Sequence, residues 1–135
     1  MNAPFFPAMP GVRLADPADP RIGAFLHDHP GTTPFHEPRW LAAVEAGTGH
    51  RAAVLIAESA GRITGVLPLS EVHSPLFGRV LASTGFAVGG GVLAEDEAAA
   101  EALWSAAAEL AVRRSCPAIE LRGGLVPGAD APGWV

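Results

Sequence analysis

Lysine and tyrosine are absent from this 135-residue chain. Without lysine there is no P-loop lysine, no Schiff-base lysine and no lysine general base. Without tyrosine there is no phenolic proton donor. Nine arginines stand against 14 acidic residues, a net charge of −5, which leaves no basic stripe of the kind that nucleic-acid binding uses. DNA is therefore not an expected partner. The single cysteine, Cys116, cannot make an internal disulfide, which suits a reducing cytoplasm. Residues 1–7 lack the basic stretch and apolar core of a signal peptide. No apolar run reaches the roughly 18 residues that a membrane span requires. These absences point to a cytoplasmic chain with no membrane span, and the 49% hydrophobic content is enough to build a core.

What is present is apolar patterning whose period changes along the chain. Residues 1–11 are proline-rich and loose, and residues 12–14 read as a short strand. Asp19 is placed to cap a helix with Pro20 at its first position, and Ile22, Phe25 and Leu26 make its apolar stripe. Pro30 and Gly31 end it. A second helix starts within residues 32–38, buries Trp40, Leu41 and Val44, and stops at Gly47. Residues 51–58 are then extended, with Val54, Leu55 and Ile56 continuous enough to be covered on both faces. A turn at 59–61 leads into a second arm, 62–72, where Pro68 cannot donate to a ladder and so marks a bulge or a free edge. A loop at 73–78 and a third strand at 79–83 follow. Residues 96–114 form the longest helix, with Leu103, Ala107 and Leu110 on one face and Pro117 barring continuation. Residues 118–122 alternate as a last strand, closed by Gly123 and Gly124.

The order β-α-α-β-β-β-α-β predicts a mixed, mostly antiparallel sheet flanked by helices. Trp134 beside the terminal Val135 reads as an interruption before the last strands, with 12–124 a partial domain and 125–135 the start of the remainder. Such a sheet is expected to leave 54–56 and 119–121 partly exposed, favouring self-association.

The most distinctive stretch runs from Ser83 through Gly85, Phe86, Gly89, Gly90 and Gly91 to Glu95, Asp96 and Glu97. A strand that opens through glycines into a helix N-terminus is a common anion site. Here, however, three carboxylates fill the first turn of the helix and complement its dipole themselves. The loop is thus shaped for something other than a phosphate. Gly89, Gly91 and Ala94 fit a permissive dinucleotide fingerprint only formally, because the helix starts after the motif; a small nucleotide-binding domain is the weakest of the readings kept open. The bland reading is a connection that lets strand and helix pack closely.

His27, His29, His36, His50 and His73 lack the paired spacing of a zinc site, so no metal is expected. Cys116 reads as a small core residue. Ser83 has no base beside it in sequence, and no nucleophile elbow occurs. Arg79 has the reach for a carboxylate or phosphate, although a solvated arginine is the commoner case. His36, between Phe35 and Trp40 at a helix start, is the one histidine that reads as a ligand contact. No catalytic group stands out from the residues alone.

Four segments together carry a resemblance: 33–40 (Thr-Pro-Phe-His-Glu-Pro-Arg-Trp), 65–69 (Gly-Val-Leu-Pro-Leu), 74–79 (Ser-Pro-Leu-Phe-Gly-Arg), and 83–86 with 88–91. Over most of residues 33–124 the chain resembles the N-terminal half of FemAB-like proteins, nearest to the subgroup associated with exosortase and PEP-CTERM exopolysaccharide systems. FemAB-like proteins are similar to two GNAT (N-acetyltransferase-type) domains in tandem. The resemblance implies a GNAT-like sheet lacking its later strands, a second GNAT-like domain as partner, and an acyl or aminoacyl transfer onto an amine of a cell-envelope, peptidoglycan-type or exopolysaccharide precursor, with aminoacyl-tRNA as a donor. A non-catalytic half that binds a partner domain or glycan precursor is the alternative.

The lysine and tyrosine types that bind substrate in Fem enzymes have no counterpart here, so catalytic residues are not carried over. The helix start and the glycine stretch should lie at one end of the sheet, so that Phe35, His36, Trp40, Arg79, Ser83, Gly85 and Phe86 border one substrate cleft. Aromatics with a few polar groups suit a sugar or muropeptide-like ligand. GNAT enzymes that use CoA grip its pyrophosphate with backbone N–H groups of a glycine-containing loop and the following helix. The corresponding place here, 89–91 and 95–97, is acidic, so neither acyl-CoA nor another cofactor is expected.

Overall fold

A computed structural model describes residues 10–76, 78–83 and 89–128. Strand β1 (Gly11–Leu14) leads to helix α1 (Pro20–Asp28), a 3-10 turn (Pro34–His36) and helix α2 (Pro38–Thr48). Then come β2 (Arg51–Ser59), β3 (Arg62–Ser74), β4 (Gly78–Ser83), the two-residue β5 (Leu93–Ala94), helix α3 (Glu97–Arg113) and β6 (Ala118–Glu120). The strands form one sheet in the order β1-β2-β3-β4-β6, with β5 paired to β3. All pairings are antiparallel except β4 with β6. This is the mixed, mostly antiparallel sheet with flanking helices that the element order implied.

Local chemistry sets the ends of the helices. Asp19 caps α1, its carboxylate accepting the Arg21 N–H at 2.9 Å, with Pro20 in the first turn. Helix α2 runs past Gly47 and is closed instead by Gly49 in the left-handed conformation (φ 76°), its N–H donating to the Glu45 carbonyl. Asp96 caps α3, accepting the Ala99 N–H at 2.8 Å.

The two-residue side-chain alternation of β2 divides the core. Leu55 and Ala57 join Leu67, Leu69 and Leu81 under α3, which contributes Leu103, Ala107 and Leu110. Val54 and Ile56 join Ile63, Val66 and Leu93 under α1 and α2, which contribute Ile22, Leu26 and Leu41. Val54, Leu55 and Ile56 are at most 2% exposed, contrary to the expectation of an uncovered strand, because β2 lies inside the sheet with helices on both faces. Ile119 and Leu121 are half-buried against the α3 side.

Two features escaped the sequence pattern. The bulge lies at Ala57 and Glu58 and not at Pro68. Among the described residues Pro68 has no partner on the β4 side, the free edge expected there as the alternative to a bulge, since β4 pairs with β3 from Leu69 onward and β5 pairs only at Gly65 and Val66. Strand β5 was not expected, and it separates the glycine triplet from α3, so the glycines do not open directly into a helix.

Candidate functional site

The connection between α1 and α2 builds the site. The Thr32 hydroxyl donates to the Leu26 carbonyl at 2.7 Å, turning the chain back after α1. Thr33 and His36 then form a reciprocal cap around the 3-10 turn, in the Thr-x-x-polar spacing of a capping box. His36 is 2% exposed. Its Nε2 lies 2.9 Å from the Gly91 carbonyl, and its Nδ1 lies 2.9 Å from the Thr33 N and 3.0 Å from the Thr33 Oγ1. A carbonyl only accepts, so Nε2 carries the proton and Nδ1 accepts from Thr33. Burial pushes the pKa of His36 below the ordinary histidine value.

Phe35 and Trp40 meet edge to face, ring centroids 5.0 Å apart. Beside Trp40 a cavity of about 750 Å³ is lined by Thr32, Thr33, Pro34, Glu37, Arg39, Trp40 and Ala43. The buried Trp40 Nε1 has no hydrogen-bond partner among the described residues.

The sequence-selected residues divide into groups. Phe35, His36 and Trp40 come together, and the glycine stretch reaches them: a Cβ on Gly89 would stand 3.7 Å from the Phe35 ring, in ordinary contact. Ser83 is fully buried, its Oγ accepting the Arg122 N–H at 2.7 Å. Arg79 lies apart. It pairs in register with His73, whereas β5 reaches β3 at Val66, a separation of roughly 20 Å along a strand. The Arg79 guanidinium sits 3.6 Å from Glu71 and donates to the Arg114 carbonyl at 3.3 Å, near the end of α3. Gly85 and Phe86 lie outside the described residues. Thr33, Glu37 and Arg39 were not singled out as site residues, although the Thr33 to His36 capping spacing was a readable signal that this turn is a built structure.

The glycines serve packing. A Cβ on Gly91 would overlap the Gly123 carbonyl, and Leu125 donates to the Val92 carbonyl at 3.0 Å, so the chain after β6 lies backbone to backbone on this stretch. At the start of α3 the Glu95 carboxylate holds Arg62 with two hydrogen bonds, one of 2.8 Å, and Asp96 occupies the helix N-terminus. The first turn of α3 is thus acidic, and a pyrophosphate placed there would meet like charge. One like-charge pair about 6 Å apart costs about 3 kcal/mol at an effective dielectric of about 20, before salt screening. An exposed helix N-terminus returns about 0.3–1 kcal/mol.

Among the described residues no group of three His, Cys, Asp or Glu could hold a metal ion, and no helix is long and apolar enough to cross a membrane. His50 and His73 meet edge to face at 5.0 Å. Burial, then the charge of Glu71, raises the pKa of the Cys116 thiol, leaving it an inert core group.

No protein-family model matches the chain, and no curated protein does. Solved structures do. A ribosomal-protein-alanine N-acetyltransferase from Brucella melitensis biovar Abortus 2308 superposes with a TM-score of 0.55 at 18% identity, covering 95% of this chain and 98% of that one. A predicted acetyltransferase with acetyl-CoA from Clostridium acetobutylicum gives 0.57 at 18% identity over 94% of both chains. A GNAT family acetyltransferase from Staphylococcus aureus subsp. aureus USA300_TCH1516 gives 0.54 at 14% identity, covering 95% and 98%. The chain has the GNAT acetyltransferase fold. Identities this low carry the architecture of the GNAT sheet and helices only.

Proposed function

We propose that this GNAT-like chain acts in acyl transfer of the FemAB-like kind, moving an acyl or aminoacyl group from a donor other than acyl-CoA onto an amine of a cell-envelope or exopolysaccharide precursor. In this reading it works beside a second GNAT-like domain, and aminoacyl-tRNA is the donor class. The observation that carries the proposal is the combination of an acetyltransferase fold with an α3 N-terminus taken up by its own carboxylates, Asp96 on the helix and Glu95 on Arg62. The acceptor lies in the cavity beside Trp40, where an aromatic wall, threonine hydroxyls and one charge of each sign suit a sugar-bearing amine.

The amine nitrogen attacks the carbonyl carbon of the activated ester. The C–N bond forms, the ester C–O bond breaks, and the proton lost by the ammonium returns through solvent to the departing ester oxygen, which leaves as a hydroxyl. Such a step needs the two reactants held in line and the oxyanion stabilised more than it needs a strong base.

A second reading, a half that binds a partner domain or glycan precursor without catalysis, is favoured by one observation. The two buried polar side chains selected from the sequence, His36 and Ser83, are both engaged with backbone groups.

Calorimetric titration with acetyl-CoA is expected to give no saturable heat. Labelled aminoacyl-tRNA supplied with an amine-bearing glycan precursor is expected to lose its label to the amine. Saturable micromolar CoA binding would return the chain to CoA-dependent acetylation. Precursor binding without transfer would favour the second reading.

A further inference from the structure

The segment joining α1 to α2 is clipped at two places by the same device, once to Ala94 of β5 and once to Gly91 just before it. His29, just after α1, places Nε2 3.2 Å from the Ala94 carbonyl, and its Nδ1 accepts the Gly31 N–H at 3.0 Å. His36 repeats the arrangement with the Gly91 carbonyl and the Thr33 N–H. Both acceptors on the strand side are carbonyls and both donors on the segment side are backbone amides, so each ring must be neutral with its proton on Nε2. Two stretches of this segment border two cavities: Thr32–Pro34 the one beside Trp40, and His29 one of about 360 Å³ that Phe25, Asp28 and Ala94 also line.

We propose that His29 and His36 are positioning residues, a pair of neutral-imidazole latches that hold the segment bordering the two cavities on Ala94 and Gly91, and that protonation of His36 releases its end of the segment. A protonated His36 would present an Nδ1–H to the Thr33 N–H. The Thr33 hydroxyl can rotate and accept, but the amide cannot, and it would be left half-buried without its partner. The strand side cannot follow, because Gly91 is pinned against Gly123. The turn must therefore move, and Phe35 moves with it.

Burial is the largest effect on His36 and disfavours its protonation; Glu37 at the start of α2 favours it, and His29 at the end of α1 would disfavour it only once itself charged. Residues 89–94 of the strand side and 63–69 of β3 carry no ionisable side chain. The inference needs no assumption about what the Trp40 cavity binds.

Long-range ¹H–¹⁵N imidazole spectra of the labelled protein test it directly. Both rings are expected as Nε2–H tautomers at neutral pH. On acidification the Thr33 amide should shift and lose its exchange protection with the midpoint of the His36 ring. An Nδ1–H tautomer at His36, or a Thr33 amide indifferent to that titration, would overturn the proposal. The His36→Gln variant keeps a donor for Gly91 without a titrating ring. Its Thr33 amide is expected to lose the acid-induced shift, and retention of that shift would be equally fatal. Should this variant fail to fold, the parent spectra decide alone.

Discussion

The two faces of the sheet are covered by different means. On one face a single long helix, α3, lies close, because Ala99, Ala100, Ala107 and Ala111 are its buried small residues and Gly65 on β3 gives way to Leu103. A Cβ on Gly65 would stand 2.8 Å from the Leu103 side chain. On the other face two short helices meet through a hydrogen-bonded turn, and a cavity opens beside that turn and the start of α2. Apolar interdigitation closes the first face, whereas histidines and threonines strap the second and leave a cavity with an unpartnered indole N–H. Close packing along one helix axis leaves no room for a ligand. Two helix ends held by polar straps leave such room.

The contrast is sharpest for matched core truncations. Leu103→Ala on the α3 face is expected to cost about 5 kcal/mol, the top of the usual range of about 2–5, because its alanine-lined surroundings cannot collapse. Leu41→Ala on the other face should fall near about 2 kcal/mol, since α2 borders the cavity beside Trp40 and can shift. Urea denaturation of both variants checks this, and equal losses would break the comparison.

Gly91→Ala sits where the turn, β5 and the chain after β6 meet, and should cost about 3 kcal/mol by overpacking, read from the same denaturation curves. Asp96→Ala removes the cap of α3 and should cost about 1 kcal/mol, with a matching loss of helical circular dichroism near the midpoint. Trp40→Phe removes the unpartnered N–H. Stability should stay unchanged or rise by less than about 1 kcal/mol in thermal unfolding, while any ligand of the cavity loses its aromatic wall contact.

The smallest expected effect is the pH dependence from His36. Its folded pKa is depressed from 6.5, so the unfolded chain binds the proton more readily. The contribution is fully present above about 6.5 and is lost as pH falls from there through the folded value. A melting temperature that declines over that window in the parent and stays flatter in His36→Gln would show it.

Much of the framework was legible. Asp19 with Pro20, and the alternation through Val54, Leu55 and Ile56, announced a helix start and a central strand because their signals are local. The stop of α2 was misplaced from Gly49 to Gly47, since both are glycines and only the observed left-handed backbone at Gly49 distinguishes them. Strand β5 was missed because two residues carry no period. The site was half legible: Phe35, His36 and Trp40 are neighbours within one turn, so spacing found them. Arg79 was grouped with them only by assumption, and the register of β3 and β4 places it elsewhere.

The sequence by itself determined the composition limits, the cap of α1 at Asp19, the order of the longer elements and the acidic start of α3, since each depends on residues within a few positions of one another. The tertiary structure alone decided that Gly91 yields to Gly123, that Ser83 serves Arg122, and that His29 and His36 meet carbonyls three residues apart at Ala94 and Gly91. Those pairings join residues far apart in the chain, and no local pattern encodes which carbonyl a buried imidazole will meet.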